Sequence, residues 1–456
     1  MKRVRSRLLD ERGEEGTFAD AWFMDDGQIF CKAELVDDLL RILDEELAKV
    51  GATRGSGEGV KSVARLVGPS DALENFGEDW VTGRVQDTCR LPGSNATTHV
   101  LGVDIGHDAA RDEQFRATAA TVALAREQLA GIGDSATELV LTRRCADVCK
   151  ITHLPKAHGY ATEQDSMQRF DDDLDRALAL ATGGPLHKEA LAQATLGVKR
   201  GGLGTRRAQD VALPAFVASR VQSRPLVIKL AGELDKIGFL PDKFEASYDD
   251  ALDEAVQALS SKLSAARTLR LNELLERGAE DAQQTATGLG GDGPRTRTRE
   301  LSSREPGEAL VVPAGGEDPE WDPTFGGLQH EMVELVDEER VEQLMATLNR
   351  QDAPDARRLK ELQDASVNSD WLWALNPAHG AVVPRSEFGD ALRIRLGACL
   401  TEEPTLCNLC QRNYKQDRFP RILLRSCRGH ARPLRSQRQG LRPRPARRPE
   451  CRKRGT

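Results

Sequence analysis

Along most of this chain apolar residues recur every three or four positions, the spacing of helices that bury one face. Val36, Leu39, Leu40, Leu43, Leu47 and Val50 form one such stripe, with Asp37, Asp38, Arg41, Asp44, Glu45 and Lys49 opposite and Gly51 placed to stop the helix. Phe115, Ala119, Val122, Ala123 and Leu129 form another. Met167, Phe170, Leu174, Ala177, Leu178 and Ala181 form a third, and Leu252, Ala255, Val256, Leu259 and Leu263 a fourth. Ser135-Ala136-Thr137-Glu138 reads as a capping box, and Pro185 suits the start of a helix. Helical spacing returns over 331–349, 356–375 and 386–398.

Few stretches break this period. Ala21-Trp22-Phe23-Met24 runs into Asp25-Asp26-Gly27, and Gln28-Ile29-Phe30 follows at once. Asp-Gly between two such runs predicts a β-hairpin, because glycine accepts the positive φ of a tight turn. Its tip is either an ordinary acidic turn or a pair of hard oxygen ligands, Asp25 and Asp26, for a divalent cation. Residues 61–67 read as a strand behind a glycine-rich stretch, without the P-loop pattern. His99-Val100-Leu101-Gly102-Val103-Asp104-Ile105 reads as an apolar strand.

Composition narrows the classes. The 456 residues suffice for two or three domains, and with aromatics at 4% the core rests on Leu, Val and Ala. No run reaches the roughly eighteen apolar residues of a membrane span, and the basic start lacks the apolar core of a secretory signal. Nine cysteines without framework spacing fit a reducing compartment, so the expectation is an intracellular protein, nuclear or cytoplasmic. The net charge of −8 conceals a divide: from Arg418 to Thr456 the balance is +13, leaving −21 on the rest. Nucleic-acid contact would have to come from that tail or from local patches.

Two such patches carry chemistry. Lys199-Arg200-Gly201-Gly202-Leu203-Gly204-Thr205-Arg206-Arg207 joins small residues, whose amides can approach phosphates, to four flanking cations. The plain alternative is a turn between helices with solvated charges. Cys407 and Cys410 are half of a zinc site by spacing, with Cys427 and His430 as the local candidates for the other half. Their order and spacing are irregular. Cys145 and Cys149, four apart, read as small core residues. Trp371 and Trp373 read as core anchors, with base stacking as the alternative.

Phe23-Met24-Asp25-Asp26, an aromatic, a variable residue and two aspartates, resembles the metal-binding box of reverse transcriptases. The succession that follows is similar to the back half of these enzymes from non-LTR retrotransposons: a helix, Gly51 and Lys61, the segment 99–103, then Gly201-Gly202-Leu203-Gly204. Trp371-Leu372-Trp373, Pro377 and the segment from Phe388 to Gly397 resemble the helical stretch that such proteins carry before a zinc knuckle. The resemblance implies an α+β fold: a remnant of a polymerase palm sheet, a mainly α-helical thumb and a small helical C-terminal module. It divides the chain into a disordered start (1–16), a partial palm (17–107), a thumb (108–276), a disordered linker (277–325), a helical module (326–400), a degenerate zinc knuckle (401–430) and a basic disordered tail (431–456).

The same resemblance implies RNA-directed DNA polymerase chemistry, with Asp25 and Asp26 holding Mg²⁺ or Mn²⁺ and an RNA or DNA template–primer as partner. It sets Lys61 near the nucleotide phosphates, and Lys199, Arg200, Gly201, Gly202, Gly204, Arg206 and Arg207 along the nucleic acid. Zn²⁺ would occupy Cys407, Cys410, Cys427 and His430. The family's upstream aspartate and fingers have no counterpart before Trp22, so the isolated chain is expected to be inactive unless that half is supplied in cis or in trans. The expected alternatives are a non-enzymatic nucleic-acid-binding protein and an inert relic of a decayed element. The abrupt Arg/Pro composition beyond Asp417 also resembles a shifted reading frame.

Overall fold

The computed structural model describes residues 1–13, 18–23, 26–53, 98–100, 103–105, 108–159, 164–236, 238, 244–288, 323–351, 353–364, 369–372 and 385–398. Asp25, Lys61, Trp373, Cys407, Cys410, Cys427 and His430 lie outside them, as do the zinc-knuckle and tail segments as a whole.

The start of the chain corrects the expectation of disorder over 1–16: Lys2–Arg12 is a helix, α1. Val4 and Leu8, four apart, are fully buried against Leu39, Ile42 and Leu43 of α2 (Val36–Ala48) and against Phe18. With only two apolar positions on one face, α1 gives a weak periodic signal, and its stability comes from the face that α2 offers. Arg7, Arg12 and Arg41 pair with Glu45, Glu46, Asp38 and Glu11 across the two helices. These pairs are solvent-exposed and contribute little, so apolar burial holds the unit together.

The hairpin forms from β1 (Ala19–Phe23) and β2 (Asp26–Phe30). Its register pairs Phe23 with Asp26 and Trp22 with Gly27, so Asp26 and Gly27 are strand residues and not the turn. Gly27 therefore sits inside a strand; closing the turn earlier keeps Ile29 on the apolar cluster beneath. The segment read as one strand, 99–105, is a second antiparallel hairpin, β3 (Thr98–Val100) and β4 (Val103–Ile105). It docks through the Asp104 backbone, whose N–H donates to Gln114 Oε1 at 2.8 Å and whose carbonyl lies 3.0 Å from His158 Nε2. The two hairpins are separate two-stranded sheets. The fold is mainly helical, and among the described residues no palm-like sheet joins them.

The helical body follows in order: α3 (Asp108–Ala130), α4 (Ser135–Cys145), α5 (His153–His158), α6 (Gln164–Ala181), α7 (Lys188–Ala194), α8 (Ala208–Lys236), α9 (Phe244–Ser260), α10 (Ala265–Gly288), α11 (Pro323–Gln351), α12 (Ala353–Leu362) and α13 (Arg385–Leu396). Helix α4 is capped one residue earlier than its capping box suggests. The Asp134 carboxylate accepts from the amides of Ala136 and Thr137, and Glu138 reaches back to the Gly133 N–H. Aspartate outranks the adjacent serine because its charge also opposes the helix dipole. Pro214 and Pro225 lie inside α8. Beside the second, the Tyr248 hydroxyl donates to the Arg220 carbonyl at 2.8 Å, while the Arg220 guanidinium covers the Phe216 and Tyr248 rings.

The expected boundary between a thumb ending at 276 and a module starting at 326 does not divide the core. Helix α10 runs to Gly288, into the expected linker, and α11 begins at Pro323, a residue suited to a first helical position. Leu328, Met332, Leu335 and Val336 of α11 share one apolar cluster with Leu213, Phe216, Val217 and Val221 of α8, Leu259 of α9 and Leu271 of α10. Phe388, Leu392 and Leu396 of α13 share another with Leu139 of α4 and Leu174 and Leu178 of α6. Each buried side chain of this size contributes about 1.5–3 kcal/mol. Helices α4, α6, α8, α9 and α10 thus share their core with α11 and α13. Trp371 packs on this second cluster, its ring 5.5 Å from that of Phe388 in an edge-on arrangement, as an anchor would.

Candidate functional site

Two regions were marked by the sequence, and the structure treats them differently. In the first, Asp26 opens β2 directly across from Phe23. The hairpin rests on the α1–α2 unit, where Phe18 and Ile29 join the apolar cluster and Asp20 pairs with Arg5 at 2.6 Å. Arg5 also lies 3.7 Å from Glu233 of α8, which ties the hairpin unit to the helical body. Two-metal chemistry needs carboxylates converging from separate strands. Among the described residues, β1 and β2 pair only with each other, and no group of three or more His, Cys, Asp or Glu is placed to hold a metal ion.

The second region, 199–207, is a buried crossroads. Val198–Arg200 is a turn of 3₁₀ helix, ended by Gly201 in the left-handed conformation at φ 89°. A Cβ on Gly202 would stand 2.1 Å from the Leu196 carbonyl oxygen, so only glycine permits that approach. The loop amides are already engaged: Gly201 N–H donates to Val198 O, Gly202 to Gly197 O, Leu203 to Ala194 O and Gly204 to Leu196 O. Its carbonyls are engaged as well. The buried Gln193 donates to Gly201 O at 2.8 Å and to Arg395 O at 3.0 Å, and accepts from Arg358. Arg395, on α13, donates to Gly202 O and Val198 O. A loop whose backbone groups are satisfied internally has little left to offer a phosphate.

The cations of this segment are also matched. Arg200 meets Glu338 at 2.7 Å and Glu334 at 3.5 Å. Arg206 donates to Asp337, which is 1% exposed and also accepts the Gly197 N–H at 3.0 Å. Arg207 holds both Asp175 oxygens, at 2.7 and 2.9 Å. Lys199 alone of the four is exposed. Burial disfavours the Arg206 guanidinium, but Asp337 and Glu334 outweigh it and hold its pKa above the ordinary value. Arg340 completes the set with an ion pair to Asp210 at 2.8 Å and donation to Thr195 Oγ1 at 2.7 Å.

Several carboxylates that organise this crossroads escape sequence reasoning. Asp171 accepts from the amides of Ala208 and Gln209, and Asp147 from the amide of Arg206. Together they seat the N-terminus of α8. Burial pushes the Asp171 carboxyl up to about 7 against the pull of the Ala208 amide and Arg207. It pushes Asp147 up to about 6, opposed chiefly by Arg126. Arg126 is itself lowered by burial, donates to Ala146 O and Phe170 O, and lies over the Phe170 ring. One signal could have found Asp171: it interrupts an apolar stripe, four after Met167 and three before Leu174. Asp337 carries the same mark, four after Val333 and four before Val341, whereas Asp147 carries none.

The geometry makes 199–207 a clasp that joins α7, α8, α11, α12 and α13. The cleft beside the first turn of α8, about 130 Å³ and lined by Gln164, Met167, Gln209, Ala212, Leu213 and Lys262, is below the roughly 300 Å³ of ordinary ligand pockets. Set against known families, curated proteins and solved structures, the chain matches none. Among the described residues no helix is long and apolar enough to cross a membrane.

Proposed function

We propose that this chain is the back half of a retrotransposon-type RNA-directed DNA polymerase, inactive by itself. The observation that carries the reading is the antiparallel β1–β2 hairpin, which pairs Phe23 with Asp26 ahead of a helical body. In this reading Asp25 and Asp26 help hold Mg²⁺ or Mn²⁺ while a primer 3′-oxygen attacks a nucleotide α-phosphate. The helical body serves as the thumb, gripping a template–primer by shape. A further acidic strand and the fingers come from another segment, in cis or in trans. The 199–207 clasp stiffens the thumb from inside and leaves phosphate contact to Lys199 and to the basic residues from Arg418 onward.

The test is extension of a labelled primer on homopolymer RNA, with Mg²⁺ or Mn²⁺. The isolated chain is expected to give none. Adding a chain that carries retroelement fingers and the first acidic palm strand should restore extension that Asp25→Asn abolishes. Extension by the isolated chain, or none after the addition, overturns the proposal.

A further inference from the structure

Cys145 and Cys149 read from the sequence as small core residues, and the structure corrects this. Helix α4 ends at Cys145, Cys149 falls in the 3₁₀ turn Val148–Lys150, and both are exposed free thiols. Only two apolar neighbours, Ala146 and Val148, lie between them, and Ala146 takes the buried place with Asp147. The Cys149 sulfur turns back toward α4, donating to the Arg144 carbonyl at 3.5 Å and lying 3.7 Å from that of Asp147. Across a trans peptide the Arg144 oxygen is about 2.8 Å from the Cys145 Cα, which puts the sulfur within about 6 Å of that Cα. Rotation of the Cys145 side chain can turn its sulfur toward this one, and closure to an S–S bond of about 2 Å takes a further shift of the short turn between them.

The loop between them is held at fixed points. Arg126 donates to Ala146 O at 2.8 Å, Asp147 accepts the Arg206 amide at 3.1 Å, and Ala146 N–H closes on Thr142 O. Lys150 and Ile151 donate back to Asp147 O and Val148 O. The thiols therefore ride on a pinned turn, which raises the effective concentration of each toward the other. Among the described residues no third His, Cys, Asp or Glu joins them to complete a metal set. Two sulfurs alone suit a two-electron thiol exchange better than a tetrahedral ion.

We propose that Cys145 and Cys149 form a surface dithiol that closes to an intramolecular disulfide by exchange with a small-molecule disulfide of the glutathione class. One thiolate attacks the incoming disulfide, forming a mixed disulfide and releasing one small thiol. The second thiolate then displaces the other small thiol as the protein S–S bond forms. The protein gives up two electrons and two protons, and the small disulfide takes them up as two thiols. The closed ring brackets Asp147, the residue that seats α8. This inference stands independently of the polymerase reading.

Trypsin isolates the pair in one peptide, Cys145-Ala146-Asp147-Val148-Cys149-Lys150, so mass spectrometry of the full chain reads it directly. After incubation of the folded protein with oxidised glutathione and alkylation of remaining thiols, this peptide should be two hydrogens lighter and carry no alkyl group. Closure should run on the order of tenfold faster in the folded chain than in denaturant, because the native turn holds the thiols close. Cys145→Ser should trap a glutathione adduct on Cys149. Separate adducts on both cysteines of the folded wild type, two alkylatable thiols, or equal rates folded and denatured each overturn the proposal.

Discussion

Arg206 and Asp337 stand 131 positions apart and meet inside the helical body, with Asp337 accepting from the Arg206 guanidinium and from the Gly197 amide at 3.0 Å. The carboxylate is 1% exposed, and its loss would leave the Gly197 N–H and the Arg206 guanidinium without their main acceptor. Asp337→Ala should therefore destabilise the protein by about 3–5 kcal/mol, the usual result of breaking a buried pair. The double variant Arg206→Met/Asp337→Leu should recover part of that loss. Urea unfolding measures both, and a single variant within about 1 kcal/mol of wild type would show the pair to be dispensable.

Gly202 separates the two uses of the glycine loop. If it serves packing, Gly202→Ala should lose about 3 kcal/mol of stability, the upper end for overpacking, since the new Cβ would meet the Leu196 carbonyl. Lys199→Ala should leave stability within about 0.5 kcal/mol of wild type, as for other surface changes. Thermal unfolding and duplex binding, measured on the same samples, distinguish the uses. A Gly202→Ala protein of normal stability that binds duplex poorly would restore the phosphate role to the loop.

Two carboxyls in the seat of α8 make a signed pH dependence. Asp171 at about 7 and Asp147 at about 6 bind protons more tightly in the folded chain than in the unfolded one, where aspartate titrates near ~3.9. The folded state thus holds the extra protons between about pH 4 and 7, and these groups make stability fall as pH rises through that window. Above it their effect is constant. Stability of wild type minus Asp171→Asn, followed from pH 4.5 to about 8, should decline with pH; a flat or rising difference removes Asp171 as the source. Carboxylates such as Glu45 and Glu46, held low by arginine and lysine partners, act in the opposite sense at lower pH and cancel in this difference.

The hairpin should bind divalent metal weakly by itself. Two carboxylates leave most coordination positions to water, which Mg²⁺ gives up reluctantly, so an affinity on the order of millimolar is expected. Titration calorimetry with Mn²⁺ on wild type and on Asp25→Asn/Asp26→Asn checks it. Equal heats from the two proteins would end the metal role.

Removal of Arg418 to Thr456 takes away the +13 segment and leaves a chain of −21. The 456-residue chain should bind duplex with a steep salt dependence, and the truncated one with a much shallower slope. The same slope from both would transfer the contact to the helical body.

The sequence by itself determined the helices with complete stripes, α2, α3, α6 and α9, because a face repeating at 3.6 residues has one partner-independent solution. It determined the hairpin too, since the apolar runs on either side of the aspartates can pair only by folding back. The turn within it was settled by packing: register had to keep Ile29 inward, and this moved Gly27 into a strand. Helix α1 needed the α2 face before its two apolar residues had anything to cover. Only the tertiary structure decided the fate of 199–207. Glycine next to arginine has the same local chemistry whether it meets a phosphate or a buried carboxylate, and Glu334, Asp337 and Glu338 arrive from a helix more than a hundred residues away. The short range of a motif cannot encode that encounter, because a charge's partner is chosen by the packing that brings distant helices together.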